Sequence, residues 1–207
     1  MEQNGGGLFS IRQGCREKTS RVDNHSADLH SKIRNETMKL IILGAGGYGR
    51  TVADIARQSG RYTEVYFLDD NSTDERVIGK CADYINYITS DTELYPAFGN
   101  NEGRLQWIER LEAAGVAIPT LIHDTAYVSP EAIVNKGTVV LPKAIINTDS
   151  VINSGYIINC GAIIDHGCVI EEGVHICLGA IVKAENRIPR CMKVEAGMVI
   201  ENRTYPV

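Results

Sequence analysis

The sequence predicts a small parallel α/β domain followed by a parallel β-helix, and three observations carry that prediction. A short apolar run, "KLIIL" (39–43), leads into "GAGGYG" (44–49) and then into an amphipathic stretch, "RTVADIARQSG". Every sixth residue from Val128 to Ile200, thirteen in all, is Val or Ile. The residue before each of those aliphatics is itself mostly Ile or Val, from Ile133 to Ile181.

The 207 residues leave room for one or two domains with a real core. The formal net charge of −5 argues against a nucleic-acid binder, which normally carries a basic footprint. No apolar run approaches the roughly 18–20 residues that span a bilayer, and the N-terminus has no signal-peptide core. The six cysteines, at 15, 81, 160, 168, 177 and 191, form no CxxC pair. They read as reduced thiols of a cytoplasmic protein, small and at least half-buried, with no metal site.

Residues 1–37 are polar and lack a periodic apolar face, so disorder is expected, apart from a short helix near "ADLHSKIRNE". Two readings stay open: a flexible leader, or an upstream extension of a chain whose start is Met38.

The α/β domain is expected over 38–120. "KLIIL" is a fully apolar strand. The next segment is a helix with Val52, Ile55 and Ala56 on one face, closed by Gly60 as a left-handed cap. "EVYFL" (64–68) is a second strand ending at Asp69-Asp70. "LYPAF" (94–98) is a third, demoted to an edge or irregular strand by Pro96. "GNN" (99–101) opens a helix with Leu105, Ile108 and Leu111 on one face. Strands alternating with helices imply a parallel sheet.

The β-helix is expected over 121–207. A period of six fits no helix face and is the signature of a parallel β-helix, one short strand and a turn per repeat. Small residues follow four positions after most aliphatics, as at Ala144, Ala162 and Ala180, and stack inward with them. Glycine and Asn or Asp recur where tight corners need positive φ. Three repeats make a coil, so thirteen give slightly more than four coils. Tyr156 breaks the small-residue column and is expected at a bulge or an end. The outward column, Ile133 to Ile181, would leave large apolar patches on a monomer, so at least one face is expected against another subunit.

His166 and His175 both leave the core. His166 lies two residues after inward Ile164, at a corner. His175 replaces an aliphatic of the outward column. Nine residues apart, they occupy different faces of one coil and meet only near a shared edge or across a subunit boundary. A lone corner histidine is as readily a solvated residue as a site; two beside an oligomer face favour a site. "GAGGYG" fits GxGxxG between strand and helix, with acids about 20 residues on. Alone it suggests a dinucleotide site for NAD, or no more than a tight turn, and roughly 80 residues is cramped for a complete dinucleotide domain.

These segments resemble a known family. "GAGGYG" at 44–49, "LDD" at 68–70, "GNN" at 99–101, "LIHDTAYVSPEAIV" at 121–134, "IIDHGC" at 163–168 and "GVHICLGA" at 173–180 occur in the order seen in NeuD/PglD-type sugar acyltransferases. That family belongs to the hexapeptide-repeat superfamily. The resemblance implies a Rossmann-like α/β domain followed by a left-handed parallel β-helix, assembled as a homotrimer with sites between subunits. It implies acetyl transfer from acetyl-CoA, without a metal, to the amine of a UDP-linked sugar for surface glycan or polysaccharide synthesis.

It assigns His166 as general base with Asp165, and His175, Gly179 and Ala184 to acyl-CoA. It assigns Gly46, Gly47, Tyr48, Asp69, Asp70, Gly99, Asn100, Asn101, Arg104 and Asn159 to the nucleotide sugar. Asp69 and Asp70 would face the nucleoside, and Arg104 would supply positive charge for the diphosphate. Relatives often carry an acid directly after the catalytic histidine; here it is Gly167, so Asp165 or a neighbour must orient the imidazole. The family often has histidine at the position of Tyr48, and the C-terminal segment here is shorter than the family norm. Other readings remain: O-acetylation of sialic acid or of a small hydroxyl such as serine, a β-helix that binds without turnover, and a trimeric scaffold. The two histidines and the glycine loop disfavour the last.

Overall fold

Four consecutive apolar residues, Leu40 to Leu43, favour a strand covered on both faces, and β1 (Met38–Leu43) is central in its sheet. The structure, a computed structural model, describes residues 38–207. The expected leader and its short helix lie outside the described residues. Around β1 the sheet is wholly parallel, in the order β3-β2-β1-β4, with β2 at Tyr62–Leu68, β3 at Val77–Gly79 and β4 at Thr92–Pro96. Pro96 is the last residue of an edge strand, where its missing N–H is harmless. The three-residue β3 and the 3-10 turn Cys81–Tyr87 carry no signal in the residue pattern.

Helix α1 (Gly47–Gln58) buries Val52, Ala53, Ile55 and Ala56 and is closed by Ser59 and left-handed Gly60. Helix α2 (Asn101–Ala113) starts at Asn100, whose side chain accepts the Gly103 N–H at 2.7 Å.

From Leu121 the chain runs through fourteen two-residue strands, Leu121–Ile122 to Val199–Ile200, stacked as three parallel sheets. Sheet one holds the strands beginning at Ile133, Val151, Val169 and Arg187; sheet two those at Leu121, Val139, Ile157, His175 and Lys193; sheet three those at Tyr127, Ile145, Ile163, Ile181 and Val199. The predicted six-residue register holds throughout, and the strand at Leu121 adds one repeat ahead of it. The inward aliphatics from Val140 to Val194 are fully buried and share one core with Ala144, Ala162, Cys168 and Ala180.

One expectation is corrected. Tyr156 sits at no bulge: it is 0 % exposed in that core, and its hydroxyl donates to the Ile170 carbonyl. The ring fills space that its column otherwise leaves to small side chains. Part of the outward column is covered within the chain itself. Leu121, Val139 and Ile157 pack into one core with Leu40, Ile42, Val52 and Tyr95 of the α/β domain. Each buried Ile or Leu in that seam contributes about 1.5–3 kcal/mol.

Candidate active site

The glycine loop separates packing from exposure. A Cβ on Gly49 would lie 1.9 Å from the Gly44 carbonyl oxygen, so helix and loop meet only through glycine. Gly46 and Gly47 meet nothing within 4 Å of such a Cβ and are exposed, leaving their backbone open at the start of α1. Asp69 braces this loop. Its carboxylate accepts N–H bonds from Ala45 (2.7 Å), Asn71 (2.8 Å) and Ser72 (2.7 Å). Burial alone would raise its pKa; the three amides outweigh it and hold the carboxyl below its usual value. Asp70 is exposed and accepts the Cys81 N–H at 3.2 Å. Tyr48 is half-buried, its hydroxyl 2.7 Å from that of Tyr95.

The "GNN" segment borders a cleft of about 360 Å³ lined by Gly99, Asn100, Asn101, Glu102, Cys191 and Lys193. Arg104, the expected diphosphate cation, does not line that cleft. It is 0 % exposed, and all three guanidinium nitrogens are engaged: Nε with Gly155 O, Nη1 with Phe98 O, and Nη2 with Asn101 Oδ1 and Gly173 O, each at 2.9 Å. Asn101 is likewise committed, since its Nδ2 donates to the carbonyls of Cys191 (3.0 Å) and Met192 (3.3 Å). The cation lining the cleft is Lys193, which register pairing places beside His175. Counting 18 residues on from His175 would have found it.

Sheet two brings Asn159 and His175 together, with Asn159 Nδ2 3.3 Å from His175 Nε2. The orientation of Asn159 is fixed, because its Oδ1 accepts the Cys160 N–H at 2.8 Å. Its amide N–H therefore points at His175, Nε2 is the acceptor, and the neutral ring carries its proton on Nδ1. Nδ1 is the only buried side-chain polar atom among the described residues without a hydrogen-bond partner. Burial first, then the charges of Arg104 and Lys193, push the pKa of His175 down to about 4. At neutral pH the ring is an uncharged N–H donor and a poor base.

His166 is its opposite. It is exposed at the corner between sheets three and one, and among the described residues no hydrogen bond engages its imidazole. The Asp165 Oδ1 accepts the His166 backbone N–H (2.8 Å) and the Asn147 amide (3.2 Å), which shapes the turn. One coil on, Ala184 and Glu185 occupy the same corner. The Glu185 N–H donates to the His166 carbonyl at 3.1 Å, and its Cγ lies 3.6 Å from where a Cβ on Gly167 would be. The Arg203 side chain, with a smaller contribution from His166, holds the Glu185 carboxyl below its usual value.

In a three-sided coil, the corner between sheets three and one lies opposite sheet two. The α/β domain covers sheet two, so the structure groups His166, Asp165 and Ala184 away from Asn159 and His175. Gly179 lies at a third place, the corner between sheets two and three. Among the described residues no group of three or more His, Cys, Asp or Glu side chains is arranged to hold a metal ion.

A family model described as the PglD N-terminal domain matches residues 39–111. Among solved structures, the acetyltransferase domain of PglB from Neisseria gonorrhoeae FA1090 is similar, with 36 % identity over 81 % of this chain and 84 % of that one and a TM-score of 0.78. The same domain in complex with acetyl coenzyme A matches at 36 % identity over 81 % and 83 %, with a TM-score of 0.77. PerB from Caulobacter crescentus, in complex with CoA and GDP-perosamine, shares the fold at 21 % identity over 82 % and 91 %, with a TM-score of 0.63.

Proposed function

The chain belongs to the NeuD/PglD-type sugar acyltransferases of the left-handed β-helix superfamily, and from that premise we propose that His166 is the general base that lets the amine of a nucleotide-linked sugar attack the thioester of acetyl-CoA. The complexes of PglB with acetyl-CoA and of PerB with CoA and GDP-perosamine support this pairing of donor and acceptor. The product would serve glycan synthesis.

The observation that carries the assignment is the contrast between the two histidines. His175 has its basic nitrogen occupied by Asn159 and a pKa of about 4, so it takes no proton at neutral pH. His166 stands exposed, its imidazole without a partner among the described residues. In the transfer step the amine nitrogen bonds to the acyl carbon, the C–S bond breaks, His166 takes the amine proton, and the CoA thiolate leaves. The Nδ1–H of His175 offers a donor to an oxygen of the bound acyl group. Glu185, whose backbone N–H donates to the His166 carbonyl one coil on, is a second candidate beside Asp165 for the carboxylate that orients His166. Gly179 and Ala184 follow His175 along the coil that acyl-CoA would track.

The acceptor would lie over the exposed backbone of Gly46 and Gly47, with Asp70 at the nucleoside and Gly99 and Asn100 at the rim of the cleft. Asp69 and Tyr48 shape that surface from below. Lys193 replaces Arg104 as the cation for the diphosphate. We take the nucleotide as UDP, with GDP the alternative that PerB suggests.

The assembly is a homotrimer in this reading. Sheets one and three still present outward apolar side chains, with Ile133 56 % and Tyr127 55 % exposed. In a shared site, one copy would supply His166 and its neighbour His175. Five free cysteines among the described residues fit a cytoplasmic setting, and no described helix is long and apolar enough to cross a membrane.

Thiol release from acetyl-CoA, measured with a panel of UDP- and GDP-linked amino sugars, tests the reading. His166→Ala should lower the rate by about 10²–10⁴-fold without changing the thermal midpoint. A rate within threefold of wild type would remove His166 from the chemistry.

A further inference from the structure

Arg104 is the bulkiest fully buried side chain among the described residues, yet no carboxylate there pairs with it; every partner is an amide or carbonyl oxygen. A guanidinium buried for packing alone is an expensive choice, since a hydrophobic side chain of similar volume often does as well. Its contacts follow a pattern. Nη2 holds Gly173 O at 2.9 Å and Val174 O at 3.4 Å, the two carbonyls just ahead of His175. Nε holds Gly155 O, 18 residues earlier on the same corner, and Nη1 holds Phe98 O, just ahead of Gly99. Asn101, gripped by the same Nη2, extends the hold to Cys191 and Met192, just ahead of Lys193.

One buried node thus ties the "GNN" segment to three successive coils at the corner that leads into sheet two. The corner is built to admit it. A Cβ on Gly155 would come within 2.9 Å of Ile108 Cδ1, and one on Gly173 within 3.1 Å of Cys191 Sγ and 3.3 Å of Leu105 Cδ2. Both glycines have positive φ, so α2 approaches the coil where side chains are absent.

We propose that Arg104 is a positioning residue for His175, locking the histidine's strand to the Gly99–Asn101 segment so that the acyl side and the acceptor side of the site share one rigid frame. This rests on the roles given above to His175 and the cleft. Electrostatics agree with the geometry. The charged groups that act on His175 are Arg104, Lys193 and Glu195; the two cations favour the neutral ring and Glu195 opposes them.

The test is ¹⁵N NMR of histidine-labelled full-length protein without ligands, with His175→Asn to assign the signal, alongside steady-state acetyl transfer. Wild type should show a neutral His175 with the Nδ1–H pattern down to about pH 5. Arg104→Met removes charge and fork together. It should raise the titration midpoint by about one unit and blur the tautomer. Arg104→Lys keeps the charge but not the fork. It should leave the midpoint low, blur the tautomer, and cut kcat at least about tenfold with KM for acetyl-CoA within about threefold, as misplacement of a reacting group does.

A folded Arg104→Met variant with unchanged midpoint and tautomer would overturn the proposal. If that variant does not fold, Arg104→Lys decides alone: an intact tautomer pattern with intact kcat overturns it. If the wild type acetylates no amino sugar, the enzymatic reading fails, while the NMR arms still judge the clasp.

Discussion

Replacing Tyr156 with alanine makes the hexapeptide pattern more regular and should make the protein much less stable. By pattern alone, position 156 belongs to the column of Ala144, Ala162 and Ala180, and tyrosine is its outlier. In the structure the ring is fully buried between Thr138 and Val174 of the adjacent coils, themselves fully buried, and its hydroxyl donates to Ile170 O. Emptying that space costs the transfer free energy of the ring plus a cavity that rigid coils cannot close, about 3–5 kcal/mol for an aromatic cut to alanine. Tyr156→Phe isolates the hydroxyl. Ile170 O keeps a second donor, the Asn153 N–H at 3.2 Å, so no orphan is left and the loss should be only about 0.5–1.5 kcal/mol. Urea unfolding followed by circular dichroism, with the m-value held constant, gives both numbers. At about 2–4 °C per kcal/mol for a chain of this length, the alanine variant should melt roughly 10 °C lower. A Tyr156→Ala variant as stable as wild type would show that the core around the ring is loose and the assigned packing wrong.

Two further outcomes follow from the site. His175 binds no proton in the folded state until about pH 4, whereas an unfolded histidine does so near 6.5, so the unfolded chain takes up the extra proton and stability should fall as pH drops from 6.5 to 4. The shift of roughly 2.5 units sets a ceiling of about 3.4 kcal/mol; partial exposure reduces it to about 1–2 kcal/mol, visible as a steeper acid slope in wild type than in His175→Asn, and equal slopes would contradict it. Gly49→Ala places a methyl group 1.9 Å from the Gly44 carbonyl and should abolish nucleotide-sugar binding in calorimetry, whereas Gly46→Ala, with open space around it, should leave the fold intact.

The fold was legible because a β-helix repeats one rule at every turn: every sixth residue from Val128 to Ile200 is the second residue of its strand. What covers the outside was not, because an outward Ile looks the same in sequence whether another subunit or its own α/β domain lies on it. Eighteen-residue bookkeeping shows the difference: Leu121, Val139 and Ile157 fall on the one sheet that α1 and the first sheet cover. The burial of Arg104 was not legible, because a cation beside "GNN" suggests phosphate. A signal against that reading was present, since 104, 108 and 111 share a helical face with Ile108 and Leu111 in the core. The bonds of Asp165 were not legible for a different reason. A short carboxylate next to a corner histidine closes its own turn more readily than it reaches the ring, and only the next coil could supply Glu185.

Nine residues between His166 and His175 place them on opposite sides of one coil, and that spacing yields a count that separates two architectures. If each site takes His166 from one subunit and His175 from its neighbour, neither His166→Ala nor His175→Asn has a complete site by itself. Mixed trimers do. After unfolding and refolding in a one-to-one mixture, a given interface receives an intact His166 with a chance of one half and an intact His175 from the adjoining chain with the same chance. About a quarter of the interfaces should therefore be wild type, because closed threefold symmetry gives one such pairing per interface. Recovery of about a quarter of wild-type acetyl transfer, from two parents that each have almost none, is the expected result. Sites built within single chains give no recovery at any mixing ratio. That result, with mixed trimers confirmed by native mass spectrometry, would refute the shared site even if His166 remained the base.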